Sequence, residues 1–193
     1  MSSLQKKVIL RRFFGDVLHG YLPASGFVHN DEISYLSLQG RMATISLPQV
    51  KTICYVRDFN LADTQNPERL QRKSFVTRPR GDGLWVRITF RDDGDLLEGL
   101  CAADTTFLDG LITDEGVSMS PPDSRTNTQR IYVPRASIAT LQVLAVITSP
   151  SKRRAQTLLE RDAPAGQVPP SLQEALFEGA PQLSPKRGRH GHH

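Results

Sequence analysis

Four acidic residues crowd one short stretch of this chain: Asp92, Asp93, Asp95 and Glu98. Paired carboxylates can act as general acid and base when a cleft sets their pKa values apart. Here Gly94 falls among them, and Asp92-Asp93-Gly94-Asp95 reads as a solvated hairpin turn. A calcium loop needs ligands at alternate positions and a distal Glu, a spacing this stretch lacks. Cys54 and Cys101 have neither CxxC spacing nor a neighbouring histidine. They read as core thiols of a reduced, cytoplasmic compartment. His19 and His29 have no matching cysteine, and His190, His192 and His193 form a terminal tract that implies no function by itself. No GxGxxG, Walker A or GxSxG occurs. The expectation is a non-enzymatic chain with no metal and no cofactor.

Binding chemistry is better represented. Nucleic acid is held by cations clustered with stacking aromatics. Arg11, Arg12, Phe13 and Phe14 form one such cluster, and Arg69, Arg72, Lys73, Phe75, Arg78 and Arg80 form another. The polar stretch from Pro121 to Arg130 is the longest insertion in the second half, and extra loop is where recognition concentrates. The residues expected to bind are Arg11, Arg12, Phe13, Phe14, Arg72, Lys73, Arg125, Asn127 and Arg130. The expected partner is a protein or peptide. RNA or single-stranded DNA is the alternative. A cyclic dinucleotide is a second one, because Arg87-Ile-Thr-Phe-Arg91 is similar to the Arg-x-x-x-Arg motif of PilZ-type receptors. That match falls inside a predicted strand, and the companion Asp/Asn-x-Ser-x-x-Gly motif is missing. No oligomeric state follows from the sequence.

Charge separates the segments. The net charge is +4, yet residues 81–151 hold five Lys and Arg against ten Asp and Glu, a net −5. Residues 65–80 hold five against one, a net +4. The basic excess therefore belongs to a linker and to the tail rather than to one folded face. No run approaches eighteen apolar residues, so no membrane span is expected, and residues 1–7 lack a signal-peptide core.

The elements that must position these residues repeat. Residues 8–20 (VILRRFFGDVLHG) and 86–99 (VRITFRDDGDLLEG) share a strand, a Gly-Asp turn, two aliphatics and a closing glycine. Residues 45–53 and 131–141 then share an Ile-x-aliphatic-Pro unit before an aliphatic run. Two motifs in the same order point to duplication. Val8 and Leu10, like Val86, Ile88 and Phe90, alternate with their neighbours as a half-buried strand does. Later strands are predicted at Ile33–Leu38, Ala43–Leu47 and Thr52–Val56, and at Gly116–Met119, Gln129–Val133 and Thr140–Ile147. Gly20 and Gly99 lie inside predicted strands, where a glycine admits a sharp bend or a close neighbour.

This order of elements resembles Sm-like and SH3-like small β-barrels. The resemblance covers roughly residues 6–57 and 84–147 and implies an all-β chain of two tandem barrels. It does not carry RNA binding with it, because the family's RNA-contacting loop is not reproduced here. The whole chain also resembles an uncharacterised bacterial family through Val56–Phe59, Lys73–Phe75 and Asn127–Ile131, a likeness that brings no activity. The expected layout is a first barrel at 5–58, a basic exposed linker at 59–83, and a second barrel at 84–148. A largely disordered basic tail at 149–193 is expected to follow. In that tail Ser171-Leu-Gln-Glu174 has a capping-box pattern that would open a short helix over Leu172–Glu178. So short a helix is not stable alone in water.

Overall fold

The computed structural model describes residues 5–112, 116–123 and 125–148. The tail expectations, including the Leu172–Glu178 helix, lie outside the described residues. The first half contains β1 (Lys6–Arg12), β2 (Val17–Leu22), β3 (Val28–His29), β4 (Glu32–Ser37), β5 (Met42–Ser46) and β6 (Val50–Val56). The second contains β7 (Gly83–Phe90), β8 (Leu96–Cys101), helix α1 (Thr105–Ile112), β9 (Gly116–Met119), β10 (Thr128–Pro134) and β11 (Ile138–Ile147). Every predicted strand is present, with bounds within two residues of those expected except that β7 starts three residues before Val86. All pairings are antiparallel. Among the described residues no helix is long and apolar enough to cross a membrane.

The two halves pair their strands in a similar order. In the first half β6 pairs β1, β1 pairs β2, β2 pairs β4, and β4 pairs β5. In the second β11 pairs β7, β7 pairs β8, and β9 pairs β10. A bridge from Leu100 to Ser120 supplies the remaining link. A 3-10 turn precedes the last strand of each half, at Leu47–Gln49 and Arg135–Ser137. A bulge follows each turn. Superposing the turns shifts the proline alignment by two residues: Pro48 is inside its turn, whereas Pro134 precedes one.

The two strand glycines explain themselves in this frame. A Cβ on Gly20 would stand 2.6 Å from the Leu36 carbonyl oxygen and 2.6 Å from Tyr35 Cδ2. On Gly99 it would stand 2.6 Å from Met119 Cγ. Tyr35 and Met119 hold matching places, two residues into the pairing that also joins Ile33 to Ile45 and Val117 to Val133. Each glycine makes room for the large core residue of the strand that crosses it.

Two separate barrels are not what forms. β6 pairs with β10, in the register Cys54–Ile131 and Ile53–Tyr132, so one sheet runs from the first half into the second. No barrel closes among the described strands. Nor is β1 half-buried: Val8, Ile9 and Leu10 are all fully buried. The reason is a second core on its other face. Val8 and Leu10 join Leu22, Ile33 and Val50 in one core. Ile9 joins Val86, Ile88 and Met119 in the other. β6 and β10 divide in the same way, with Ile53, Tyr55 and Tyr132 facing the first core and Cys54, Val56, Ile131 and Val133 the second. Helix α1 was not expected from the sequence. Gly110 weakens its propensity, and it holds through Phe107 and Leu111, which pack on the second core.

Gly20→Ala and Gly99→Ala are each expected to cost about 1–3 kcal/mol through overpacking. Gly20→Ala is expected to cost more, because a backbone carbonyl cannot move aside as a methionine side chain can. Urea unfolding measures both, and unchanged midpoints would contradict the close approach.

Candidate functional site

A cleft of about 400 Å³ opens where the halves meet, lined by Arg11, Arg12, Lys51, Glu68, Lys73 and Asp95 among others. One wall is a strap made from residues 58–75, expected as exposed linker. Its middle is instead buried: Glu68 is 5% exposed. Turn chemistry shapes it. The Asp63 side chain accepts from the Gln65 and Asn66 N–H groups, and the Asn66 side chain accepts from the Leu70 N–H. Asn60 and Arg69 take positive φ, 47° and 52°. The second half then grips the strap. Thr128 Oγ1 donates to the Glu68 carbonyl at 2.7 Å, and Asn127 Nδ2 donates to the Asp58 and Pro67 carbonyls at 2.7 and 3.1 Å.

Charge inside the cleft is paired. Arg11 donates from Nε and Nη2 to the two Glu68 carboxylate oxygens at 2.7 and 2.8 Å, a bidentate geometry. The Glu68 hydrogen bond raises the Arg11 pKa above its ordinary value. Lys51 bonds Asp93 and lies 3.3 Å from Asp95, while Lys73 lies 2.8 Å from Asp95. Lys73 holds the Asp95 carboxyl below its ordinary value, and Lys51 does the same for Asp93. The acidic turn is therefore a docked element rather than a freely solvated one, because Lys51 of β6 reaches across to it.

Glu98 departs furthest from the solvated reading. It is 2% exposed on β8. Burial pushes its pKa up, but the Phe75 N–H, Arg87 and Trp85 outweigh burial and hold it below the ordinary value. Oε2 accepts from the Phe75 N–H at 3.0 Å and from Trp85 Nε1 at 3.1 Å, and Oε1 accepts from Arg87 Nη2 at 2.8 Å. The Glu98 N–H donates to the Lys73 carbonyl at 2.7 Å, so β8 holds the strap's end by backbone and side chain together.

The residues expected to bind are placed as follows. Arg11, Arg12, Phe13 and Lys73 share the cleft. Arg12 faces Asp16 at 3.4 Å and Gln49 at 3.3 Å, and the Arg91 guanidinium lies 5.2 Å from the Phe13 ring centre. Phe14 is 89% exposed, and Arg72 is exposed on the strap. Arg125, Asn127 and Arg130 are not part of the cleft. Arg130 stacks 4.1 Å from the Tyr55 ring centre and donates to the Ala24 carbonyl at 2.6 Å. Lys51, Glu68 and the role of Glu98 were missed, since no local spacing connects them to Arg11 or Phe75.

Chemically, these groups hold the structure. Asp93, Asp95 and Glu98 stay ionised well below neutrality, so none is a proton donor at neutral pH. Burial pushes the Cys54 and Cys101 thiols up to about 12, so neither is a thiolate there. Among the described residues no three His, Cys, Asp or Glu side chains converge as metal ligands do.

Two sheet edges are different. β5 pairs only with β4, and β11 only with β7, among the described residues. Neither strand contains a charged residue or a proline. Met42 on β5 is 65% exposed, and Val143 and Val146 on β11 are 52% and 60% exposed.

Residues 4–145 match a family described as a family of unknown function, DUF6982, and the chain belongs to it. No curated protein and no solved structure matches the chain.

Glu98→Gln keeps the size of the side chain and removes its charge. The expected loss is about 2 kcal/mol at neutral pH, less than for a fully buried pair because Arg87 remains partly in water. A carboxyl with a lowered folded pKa stabilises above its unfolded value of about 4.3, and that contribution fades as pH falls through the folded value. The gap between wild type and variant, measured by urea unfolding, should therefore shrink from neutral pH to about pH 3. A gap of constant size would contradict the ionised role.

Proposed function

We propose that this member of the family is a non-enzymatic interaction module that recognises a protein partner by strand addition. The observation that carries the reading is the pair of uncharged, proline-free edge strands, β5 and β11. An exposed edge presents unpaired N–H and C=O groups that template another strand. Soluble proteins ordinarily blunt such edges with charge, proline or a cover. β11 spans ten residues without charge and turns Val143 and Val146 to solvent.

The state of the cleft supports the same reading over its rivals. Nucleic-acid contacts release counterions from phosphates onto available cations. Arg11, Lys51 and Lys73 already answer Glu68, Asp93 and Asp95. Arg87, one half of the motif that suggested a cyclic dinucleotide, is bound to Glu98. A kinship of each half with Sm-like or SH3-like barrels belongs to the same proposal. The strand order common to the two halves supports it.

Selection of peptides from a random displayed library against the full chain tests the reading. Extended peptides with alternating apolar residues are expected, with capture lost on Val143→Lys in β11 or Met42→Lys in β5. Enrichment of helical or charged motifs indifferent to both substitutions would overturn it. So would a salt-sensitive mobility shift with single-stranded RNA or DNA at low ionic strength.

A further inference from the structure

The chain already contains one example of the joint its edges are built to make. β6 is the last strand of the first half, and β10 is the fourth main strand of the second. Their pairing joins one copy of the duplicated unit to the next. β11 is the second half's equivalent of β6: each follows a 3-10 turn, is bulged just after its first residue, and pairs the first strand of its half. β5 is the first half's equivalent of β10: each precedes the turn and pairs the strand that follows the glycine-bearing hairpin. Among the described residues β11 and β5 are the long strands left with one partner, apart from the two-residue β3 and from β8 and β9, which the Leu100–Ser120 bridge links.

We propose that the partner is a second copy of this chain, and that β11 of one copy adds to β5 of the next in the register that β6 and β10 use within the chain. This rests on the strand-addition reading above and names its occupant. The register follows from the equivalences. Val50 and Ile138 open the matching strands, so Ile53, Cys54 and Tyr55 correspond to Leu141, Gln142 and Val143. The partners of Ile33 and Val117 are Ile45 and Val133, so Met42, Ala43 and Thr44 correspond to Arg130, Ile131 and Tyr132. Within the chain Cys54 faces Ile131, Ile53 faces Tyr132, and Tyr55 faces Arg130. Between chains Gln142 then faces Ala43, Leu141 faces Thr44, and Val143 faces Met42.

Side-chain chemistry agrees with that register. Val143 and Met42 are 52% and 65% exposed, and they are the pair it brings together. Cross-strand apolar pairs of this kind stabilise an antiparallel ladder. Neither strand carries a charge of its own that would repel the other, and the Arg78 guanidinium, 3.5 Å from the Val146 carbonyl of β11, is outside the paired positions 141–143. The joint is heterologous, because β11 meets β5 and never itself, so assembly continues until a ring closes or a filament grows.

Heterologous joining makes a specific demand on mixtures. In the full chain, Met42→Lys blocks β5 and leaves β11 intact, while Val143→Glu blocks β11 and leaves β5 intact. Both positions are exposed, and circular dichroism of each variant checks its fold. Sedimentation velocity and native mass spectrometry are expected to show wild type above the 21.5 kDa monomer. Each variant alone should be monomeric, and an equal mixture should give a one-to-one dimer with no larger species. Ala43→Cys with Gln142→Cys should form interchain disulfides, whereas Ala43→Cys with Ala145→Cys should not. Self-association of either variant alone, or cross-linking without register preference, would overturn the proposal. A wild-type chain monomeric at all concentrations would overturn it too, while the peptide selection above would still decide strand addition. If that monomer associates once residues 153–193 are removed, the chain's own tail occupies the edge, and a second copy is not the occupant.

Discussion

Three adjacent strands, β1, β6 and β10, carry apolar side chains toward both of their faces, and a strand of that kind is stable only between two cores. Ile53 and Tyr55 fill one core while Cys54 and Val56 fill the other. Register is then fixed twice over, because a slip by one residue would exchange the side chains of both cores at once. Neither half can keep its own edge covered without the other. The two halves are therefore not free to behave as beads on a string, and the strand that closes the first half is also a wall of the second.

The strap follows from that wall. Chain leaving β6 at Val56 must reach the start of β7 across the outside of the joint. It does so as a chain of turns pinned by Asn127, Thr128 and Glu98. Glu68 is carried inward to Arg11, and a carboxylate so enclosed needs the bidentate partner it has. The cleft beside them is polar, but its charges answer one another. Its chemistry is that of a fastening, and backbone groups on the outer sides of β5 and β11 have no strand partner among the described residues.

Much of the fold was legible because it is local. The hairpins around Gly15 and Gly94 and the glycines at 20 and 99 could be read from residue order alone, and so could the strand positions. Pairing of β6 with β10 was not, since no hydrogen-bonding preference is written in a strand's own residues. One signal did exist. Thr52-Ile53-Cys54-Tyr55-Val56 lacks the polar alternation of a half-exposed strand, which marks a strand covered on both sides. Arg11 and Arg12 looked like a binding cluster because their partners, Glu68 and Asp16, lie on separate elements or beyond a turn. Glu98 looked solvated because the acidic residues before it are in a turn, although its place beside Gly99 on β8 puts it under the strap. Helix α1 escaped notice because its stability comes from Phe107 and Leu111 against a core assembled from distant residues.

An interface used once inside a chain and left open at both of its ends unites the fold with the proposed function. Amide hydrogen exchange of the full chain, followed at low and high protein concentration, tests that unity most directly. The account predicts equal slow exchange in β6 and β10 at both concentrations, as one cooperative unit. It predicts fast exchange of the outward amides of β5 and β11 in dilute solution and protection of both together when the protein is concentrated. Exchange in β5 and β11 that does not change with concentration, or β6 and β10 opening independently of each other, would contradict it.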